Sequence, residues 1–474
     1  MITVDQYKDK TVGILGLARS GVSAARALCA GGARVVAWDD KDAARSNAPQ
    51  GTSIERWEHW PWDKLDALVL SPGIPLTHPE PHAIVDRAND AGVEIIGDLD
   101  LFARAVRAQA DESHPARIIA ITGTNGKSTL TALVGHILQS CGFDAQIGGN
   151  IGNPALELSS PKPKTYYVLE VSSYQIDLSP NLHPNVSVLS NISSDHIDRH
   201  GSLENYARVK AALLERTLIG GRIIVGTDDP ISSEIFTKLI AGDRHDAIAV
   251  SVGKVLGRGM FVIDGKLYDA SKHPAEEIGD LSAAQHLRGV HNWQNAALAY
   301  AAMRPLVRDP QEIMAAILRF PGLSHRMEDV RQIGNVHFVN DSKATNAEAA
   351  SRALACFDNI FWIVGGKAKE GGIETLAPHF TRIRKAYLIG EAATKFAETL
   401  KGRVEFEVSE TIACALQSAA ADAAHSSAPD AVVLLSPASA SFDQFRDFEE
   451  RGDIFRTAVN HLSNEKPMPR EVSA

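Results

Sequence analysis

Three features of the sequence predict an α/β protein built from three units in series. Short apolar runs alternate with amphipathic helical stretches along most of the chain, and a glycine-rich turn joins one such run to a helix at 123–129. Polar, proline-marked breaks fall near Arg107–Pro115 and Phe320–Arg326. Alternation of this kind predicts parallel sheets, because a crossover helix returns the chain to the edge where the next strand begins. A length of 474 residues accommodates about three domains of ordinary size, each able to bury its own core.

The first segment places strands at Thr11–Gly16, Arg34–Asp39, Ala67–Ser71 and Val93–Gly97. After the Arg107–Pro115 break, strands are expected at Ile118–Thr122, Tyr166–Val171, Val186–Asn191 and Arg222–Val225. A hairpin-like stretch at Phe261–Tyr268 and an alanine-rich helix at His291–Met303 follow. Beyond Arg326 a third alternating unit has strands at Val336–Asn340, Ile360–Val364, Ala386–Ile389 and Val432–Leu435. No fixed-period repeat is present.

Composition narrows the function. Hydrophobic residues make up 44% and charged residues 22% of the chain, and no apolar run reaches the length of a bilayer span, so membrane insertion is not expected. The N-terminal residues lack the charged and apolar regions of a secretion signal, and the four scattered cysteines have no metal or redox spacing. A cytoplasmic location without disulfides is therefore expected. A net charge of −10 argues against nucleic acid as a partner, so anionic ligands must be held by local charge.

The strongest local signal is Ile118–Thr129. A buried-strand pattern runs into Gly123, Thr124, Asn125 and Gly126, and then into Lys127, Ser128 and Thr129 at the head of a helix. Such a turn aims backbone N–H groups at anionic oxygens, its lysine reaches terminal phosphates, and its serine hydroxyl is a magnesium ligand type. The usual phosphate-loop pattern has a glycine where this chain has Ile121, so the loop is a variant.

Other segments fall at predicted strand ends. Gly13-Ile-Leu-Gly16 precedes Ser20 and Gly21, and Asp39 closes the next strand; this pattern admits a dinucleotide, a diphosphate-bearing substrate or plain helix packing. Glu170 ends an apolar strand, where a carboxylate is costly unless paired or metal-bound. Asn191–His200 holds Asp195, His196, Asp198 and His200 at the neighbouring strand end. From periodicity alone, Lys210 reads as an exposed helix lysine. In the third unit, Asn340–Asn346, Gly365–Lys369 and Leu435–Phe448 are strand-edge loops whose lysines and hydroxyls suit a carboxylate-bearing small molecule.

The chain resembles the Mur ligase family over essentially its whole length. The marks are the Thr122–Thr129 loop, Gly148–Gly152, Leu169–Ser173, Asp195–Arg199, His291-Asn292 with Asn295, His325–Glu328, Asn340–Asn346 and Leu435–Phe445. The resemblance implies a Rossmann-like N-terminal domain binding a UDP-substrate (residues 1–110), a central P-loop-type ATPase domain (111–323) and a Rossmann-like C-terminal domain binding an incoming amino acid (324–474).

It further implies a monomeric ligase that uses ATP and Mg²⁺ to join D-glutamate to UDP-N-acetylmuramoyl-L-alanine through an acyl phosphate, in peptidoglycan precursor synthesis. Lys127 would grip the ATP phosphates. Ser128, Glu170, His196 and a carbamylated Lys210 would surround the metal, with Lys127, His196 and Lys210 catalytic. Asn292, Asn295, Arg326 and Asp341 match nucleotide positions; Ser20, Asp39, Gly73 and Asn150 match the UDP-substrate side. Thr345, Lys369, Ser441, Phe442 and Phe448 match the D-glutamate pocket, with Lys367 close by in the same loop. A folate-type polyglutamylating ligase and an ATP-binding protein without ligase activity are the competing readings.

Overall fold

The computed structural model describes residues 1–109, 115–242, 246–271, 273–367, 371–426 and 430–462. They fall into two compact units, Met1–Ala283 with Asn292–Arg319, and Ala284–His291 with the chain from Phe320 onward. Three sheets, one for each alternating segment of the sequence, make up the α/β architecture.

The first sheet contains β1 (Thr11–Leu15), β2 (Arg34–Trp38), β3 (Thr52–Ile54), β4 (Leu65–Leu70) and β5 (Glu94–Ile96), all parallel, in the order β3-β2-β1-β4-β5. The order reverses between β1 and β4. In open α/β sheets the loops after two such strands diverge to leave a crevice. The segment Thr52–Ile54 was not expected as a strand: it is short and partly exposed at the sheet edge, so it carries no apolar pattern.

The second sheet joins β6 (Arg117–Thr122), β7 (Ala145–Gly149), β8 (Tyr166–Glu170), β9 (Val186–Leu189), β10 (Arg222–Gly226), β11 (Asp246–Val252), β12 (Met260–Ile263), β13 (Lys266–Asp269) and β14 (Glu276–Asp280). Its order is β14-β13-β12-β11-β10-β9-β6-β8-β7, so the chain reverses direction across the sheet at β6, the strand that feeds the glycine-rich loop. The expected hairpin is β12–β13, with Asp264 and Gly265 both at positive φ (50° and 80°), as a two-residue type I′ turn requires. One buried cluster includes Val12 and Ile14 of the first sheet and Ala120 and Leu169 of the second, which places both sheets in one unit.

The third sheet contains β15 (Glu328–Ile333), β16 (Val336–Asn340), β17 (Ile360–Gly365), β18 (Ile383–Ile389), β19 (Phe406–Glu410) and β20 (Ala431–Leu435). Its order is β15-β16-β20-β17-β18-β19, with only the β15–β16 pair antiparallel. The three expected carboxylate-binding loops leave β16, β20 and β17, three adjacent strands. β17 and β20 are buried at every position, the continuous apolar reading of a sheet covered on both faces.

One buried acid is destabilised in its charged form by burial. Asp98 opens the helix Asp98–Gln109 at 3% exposure, its Oδ1 lacks a hydrogen-bond partner, and burial pushes its pKa up to about 6. Between pH ~4 and ~6 the unfolded chain loses this proton before the folded one, so the contribution of Asp98 to stability falls as pH rises through that window. Asp98→Asn has no such proton to lose. Its stability relative to wild type should therefore climb from pH 4 to pH 7, by at most about 3 kcal/mol at 1.36 kcal/mol per pKa unit. Denaturant melts across this range check it; a difference independent of pH would reject the assignment.

Candidate active site

The head of helix Lys127–Ser140 organises the first unit's site. Gly126 precedes it at φ 81°, and a β-carbon there would lie 2.7 Å from Asn295 Oδ1, so the loop passes this close only as glycine. Asn295 in turn donates to Asn292 Oδ1 (3.2 Å) one helical turn away, which brings both predicted asparagines to the loop side of helix Val290–Met303. The Lys127 ammonium folds back to donate to the carbonyls of Gly123 (2.9 Å) and Thr124 (2.8 Å). Asn125 N donates to Asn191 Oδ1 (3.0 Å), Ser190 Oγ to Asn125 O (2.7 Å), and Thr124 N to Asn191 O (2.8 Å). The loop is thus tied to the end of β9. Ser128 is buried at the first turn, and Thr129 follows it on the same helix.

Lys210 corrects the periodicity reading: it is 1% exposed. Helix Leu203–Glu215 buries Tyr206, Leu213 and Leu214, and Lys210 lies four residues after Tyr206 on that same stripe. Its Nζ donates to Gly123 O (2.9 Å) and Thr122 Oγ1 (3.3 Å) and lies 4.7 Å from the centre of the Tyr206 ring. Burial first, and then the Lys127 charge, drives its pKa well below the ordinary lysine value. A neutral amine is therefore accessible in the folded protein.

Glu170 ends β8 at 3% exposure. Asn150 Nδ2 donates to its Oε1 (2.6 Å), while Oε2 is buried without a hydrogen-bond partner. His196 is left-handed (φ 54°), shares a hydrogen bond between its Nδ1 and the Tyr174 hydroxyl (2.8 Å), faces Asp195 through Nε2 (3.4 Å), and has its pKa lowered by burial. Among the described residues, no three acidic, histidine or cysteine side chains converge as a ready cation cage.

Tyr174 was not singled out from sequence, although its partners His200 and Arg199 lie in the Asn191–His200 segment that was. Tyr174 stacks on His200, whose pKa burial lowers to about 4 and whose Nε2 meets Ser173 Oγ (2.9 Å). Arg199 lies over the Tyr174 ring and donates to Gly73 O (2.8 Å) and Pro72 O (3.4 Å), fastening the Asp195–His200 segment to the loop after β4. A lone tyrosine on a short helix gives no spacing pattern to find.

Ser20, Asp39, Gly73 and Asn150 all line one cleft of about 640 Å³, at the first sheet's reversal between β1 and β4. Asp39 has a scaffolding part there: its Oδ2 accepts from Leu17 N (2.7 Å) and its Oδ1 from Lys41 N (2.9 Å). Arg19 and Lys41 supply positive charge to the same wall.

In the second unit, Asp341 is buried, accepts from Ser436 Oγ (2.9 Å) and Met327 N (3.2 Å), and is pushed up to about 7 by burial. Arg326 lies in the turn before β15. Thr345 and Ser441 stand on the loops after β16 and β20, and Phe448 begins helix Phe448–Asn460 under the Lys343 ammonium, 3.8 Å from the ring centre. Phe442 is 71% exposed within its unit. Lys369 lies outside the described residues; Lys367, its neighbour in the loop, pairs through its backbone with Ala440 (2.8 and 3.1 Å).

The fold and the lysine-bearing loop define a class, and comparison with known proteins supplies it. Residues 121–303 match the Mur ligase middle domain and residues 325–439 the Mur ligase glutamate ligase domain. The chain belongs to the Mur ligase family. It is 50% identical over 465 residues to a protein of Phenylobacterium zucineum named UDP-N-acetylmuramoylalanine--D-glutamate ligase, covering 98% of this chain and 99% of that one. The Brucella suis protein of the same name is 50% identical over 474 residues, covering 99% and 100%. Among solved structures, MurC (UDP-N-acetylmuramate-alanine ligase) of Thermotoga maritima superposes with a TM-score of 0.57 at 15% identity, over 95% of this chain and 99% of that one. MurF of the same organism, solved with ADP, gives 0.54 at 16% identity, over 84% and 89%. These two likenesses are of fold.

Among the described residues no helix is long and apolar enough to cross a membrane.

Proposed function

We propose that this protein is a cytoplasmic ATP-dependent ligase that adds D-glutamate to UDP-N-acetylmuramoyl-L-alanine in peptidoglycan precursor synthesis. The observation that carries this reading beyond family membership is the convergence of Lys127 and Lys210 on the Gly123 carbonyl at a helix N-terminus. The Lys127 ammonium at a helix N-terminus forms a site that an anion completes, and the Lys210 amine, shifted toward its neutral form, stands on the same carbonyl. The three-domain division at residues 110 and 323 belongs to the same proposal.

Phosphoryl transfer from ATP to the alanyl carboxylate brings two anions together, so the chain's task is chiefly charge neutralisation and alignment. Lys127 would turn from the loop carbonyls to the phosphates, with the backbone of Gly123–Thr129 cradling them and Asn292 and Asn295 beside the nucleotide. Ser20, Asp39, Gly73 and Asn150 would hold the sugar nucleotide in the cleft after β1 and β4. The amine of D-glutamate would then attack the acyl carbon, forming the amide bond as inorganic phosphate leaves and the nitrogen gives up a proton, with Thr345, Lys369, Ser441, Phe442 and Phe448 holding the amino acid.

The residues fit a magnesium ion: the partnerless Oε2 of Glu170 is a hard anionic donor whose burial is otherwise costly. Ser128, Glu170, His196 and Lys210 would hold it, Lys210 after its neutral amine takes up CO₂ and releases a proton to become a carbamate. Magnesium supplies charge neutralisation at the phosphates when bound.

The deciding experiment follows phosphate release and product mass with Mg-ATP, UDP-N-acetylmuramoyl-L-alanine and D- or L-glutamate. Release with D-glutamate alone is expected; none with either isomer rejects the reading.

Lys127→Ala should lower kcat by at least about a hundredfold while leaving the melting temperature within a few degrees, since what is lost is charge aimed at the transition state. Near-normal turnover would remove Lys127 from the phosphate site. Lys210→Ala should be inactive and partly rescued by acetate or another small carboxylate that replaces the carbamate. Absence of rescue, together with an unmodified lysine in the intact-protein mass of the wild type, would count against carbamylation.

A further inference from the structure

The second unit holds a fully buried arginine with no place in the chemistry described so far. Arg451 lies in the first turn of helix Phe448–Asn460 at 0% exposure. Its Nε donates to Ser342 Oγ (2.9 Å), Nη2 to Ser342 O (2.7 Å) and Nη1 to Ser439 O (3.1 Å). Ser342 belongs to the loop after β16 and Ser439 to the loop after β20. The loop after β17 reaches the same point at Gly366, φ 127°, where a β-carbon would lie 2.4 Å from Ala440 O and 3.2 Å from Arg451 Nη1. One guanidinium thus fastens the loops after β16 and β20 while the loop after β17 passes close beside it, and Ser342 Oγ passes the connection on to Phe448 O (2.8 Å).

The acceptors of its fork are all neutral. Asp443 and Asp341 act on it through space without accepting any of these three bonds, and Asp443 is itself engaged by Glu391 N (3.1 Å). Its partners Ser342 and Ser439 stand three and two residues before Thr345 and Ser441, so a buried positive charge, partly offset by Asp341 and Asp443, is held on the loops that carry both.

We propose that Arg451 is the positioning residue of the amino-acid subsite, its fork fixing the spacing of the loops after β16 and β20 and its charge favouring an incoming amino acid with a side-chain carboxylate. This rests on the D-glutamate reading above.

The test compares the full-length wild type with Arg451→Lys and Arg451→Met, measuring kcat, KM for each substrate, D-glutamate against D-glutamine preference and melting temperature. Arg451→Met should raise KM for D-glutamate by about tenfold or more, leave KM for ATP and sugar nucleotide within about twofold, and reduce the preference for D-glutamate. Arg451→Lys, which keeps charge but not the fork, should raise that KM while retaining the preference. Should Arg451→Met fail to fold, Arg451→Lys decides alone. An unchanged D-glutamate KM and preference, or an even loss across all substrates, overturns the proposal. A wild type that releases no phosphate with D-glutamate overturns the underlying reading instead.

Discussion

The Gly123 carbonyl accepts from two lysines, and much of the first unit is arranged so that it must. Lys127 reaches it from the helix it opens, and Lys210 from a helix more than eighty residues later, packed with its apolar stripe inward. Lys210 is the costly one. An ammonium buried against a carbonyl, a hydroxyl and the Tyr206 ring forfeits hydration that these contacts replace only in part, and the Lys127 charge nearby pushes it further toward the neutral amine. Within the described contacts, what offsets this is the surrounding packing: Tyr206, Leu213 and Leu214 hold Lys210 in place, and Asn191 and Ser190 hold the loop backbone.

The same economy recurs at each sheet. Glu170 keeps one carboxylate oxygen without a partner, Asp98 and Asp341 are raised toward neutrality by burial, and Arg451 is surrounded by neutral acceptors. Cores built for stability alone replace such groups with apolar side chains at little loss. Their clustering near strand ends that bear the candidate loops gives them a common explanation: ligand charge completes what the protein leaves unbalanced.

The strands and loops were legible because each is a local pattern. β6 and β8 are apolar runs ending in a glycine turn and in Glu170, and β12–β13 is a hairpin announced by Asp264-Gly265. Edge strands such as Thr52–Ile54 carry no such pattern. Lys210 was misread although its signal was present: counting four residues from Tyr206, and three or four back from Leu213 and Leu214, puts it on the buried stripe. The assumption that lysine prefers water overrode the spacing. Arg451 offered less, since its partners Ser342 and Ser439 come together only when β16 and β20 pair.

The two buried cations therefore differ in what sequence can reveal about them. Lys210 is positioned by its own helix, so its burial follows from i and i+4 geometry once the stripe is trusted. Arg451 is positioned by topology. The pairing of β20 with β16 makes two loops adjacent that are separated along the chain, and a planar five-donor group spans such a junction where a point charge on a flexible stem does not. Sheet order, rather than any local motif, thus sets the requirement for arginine at this position.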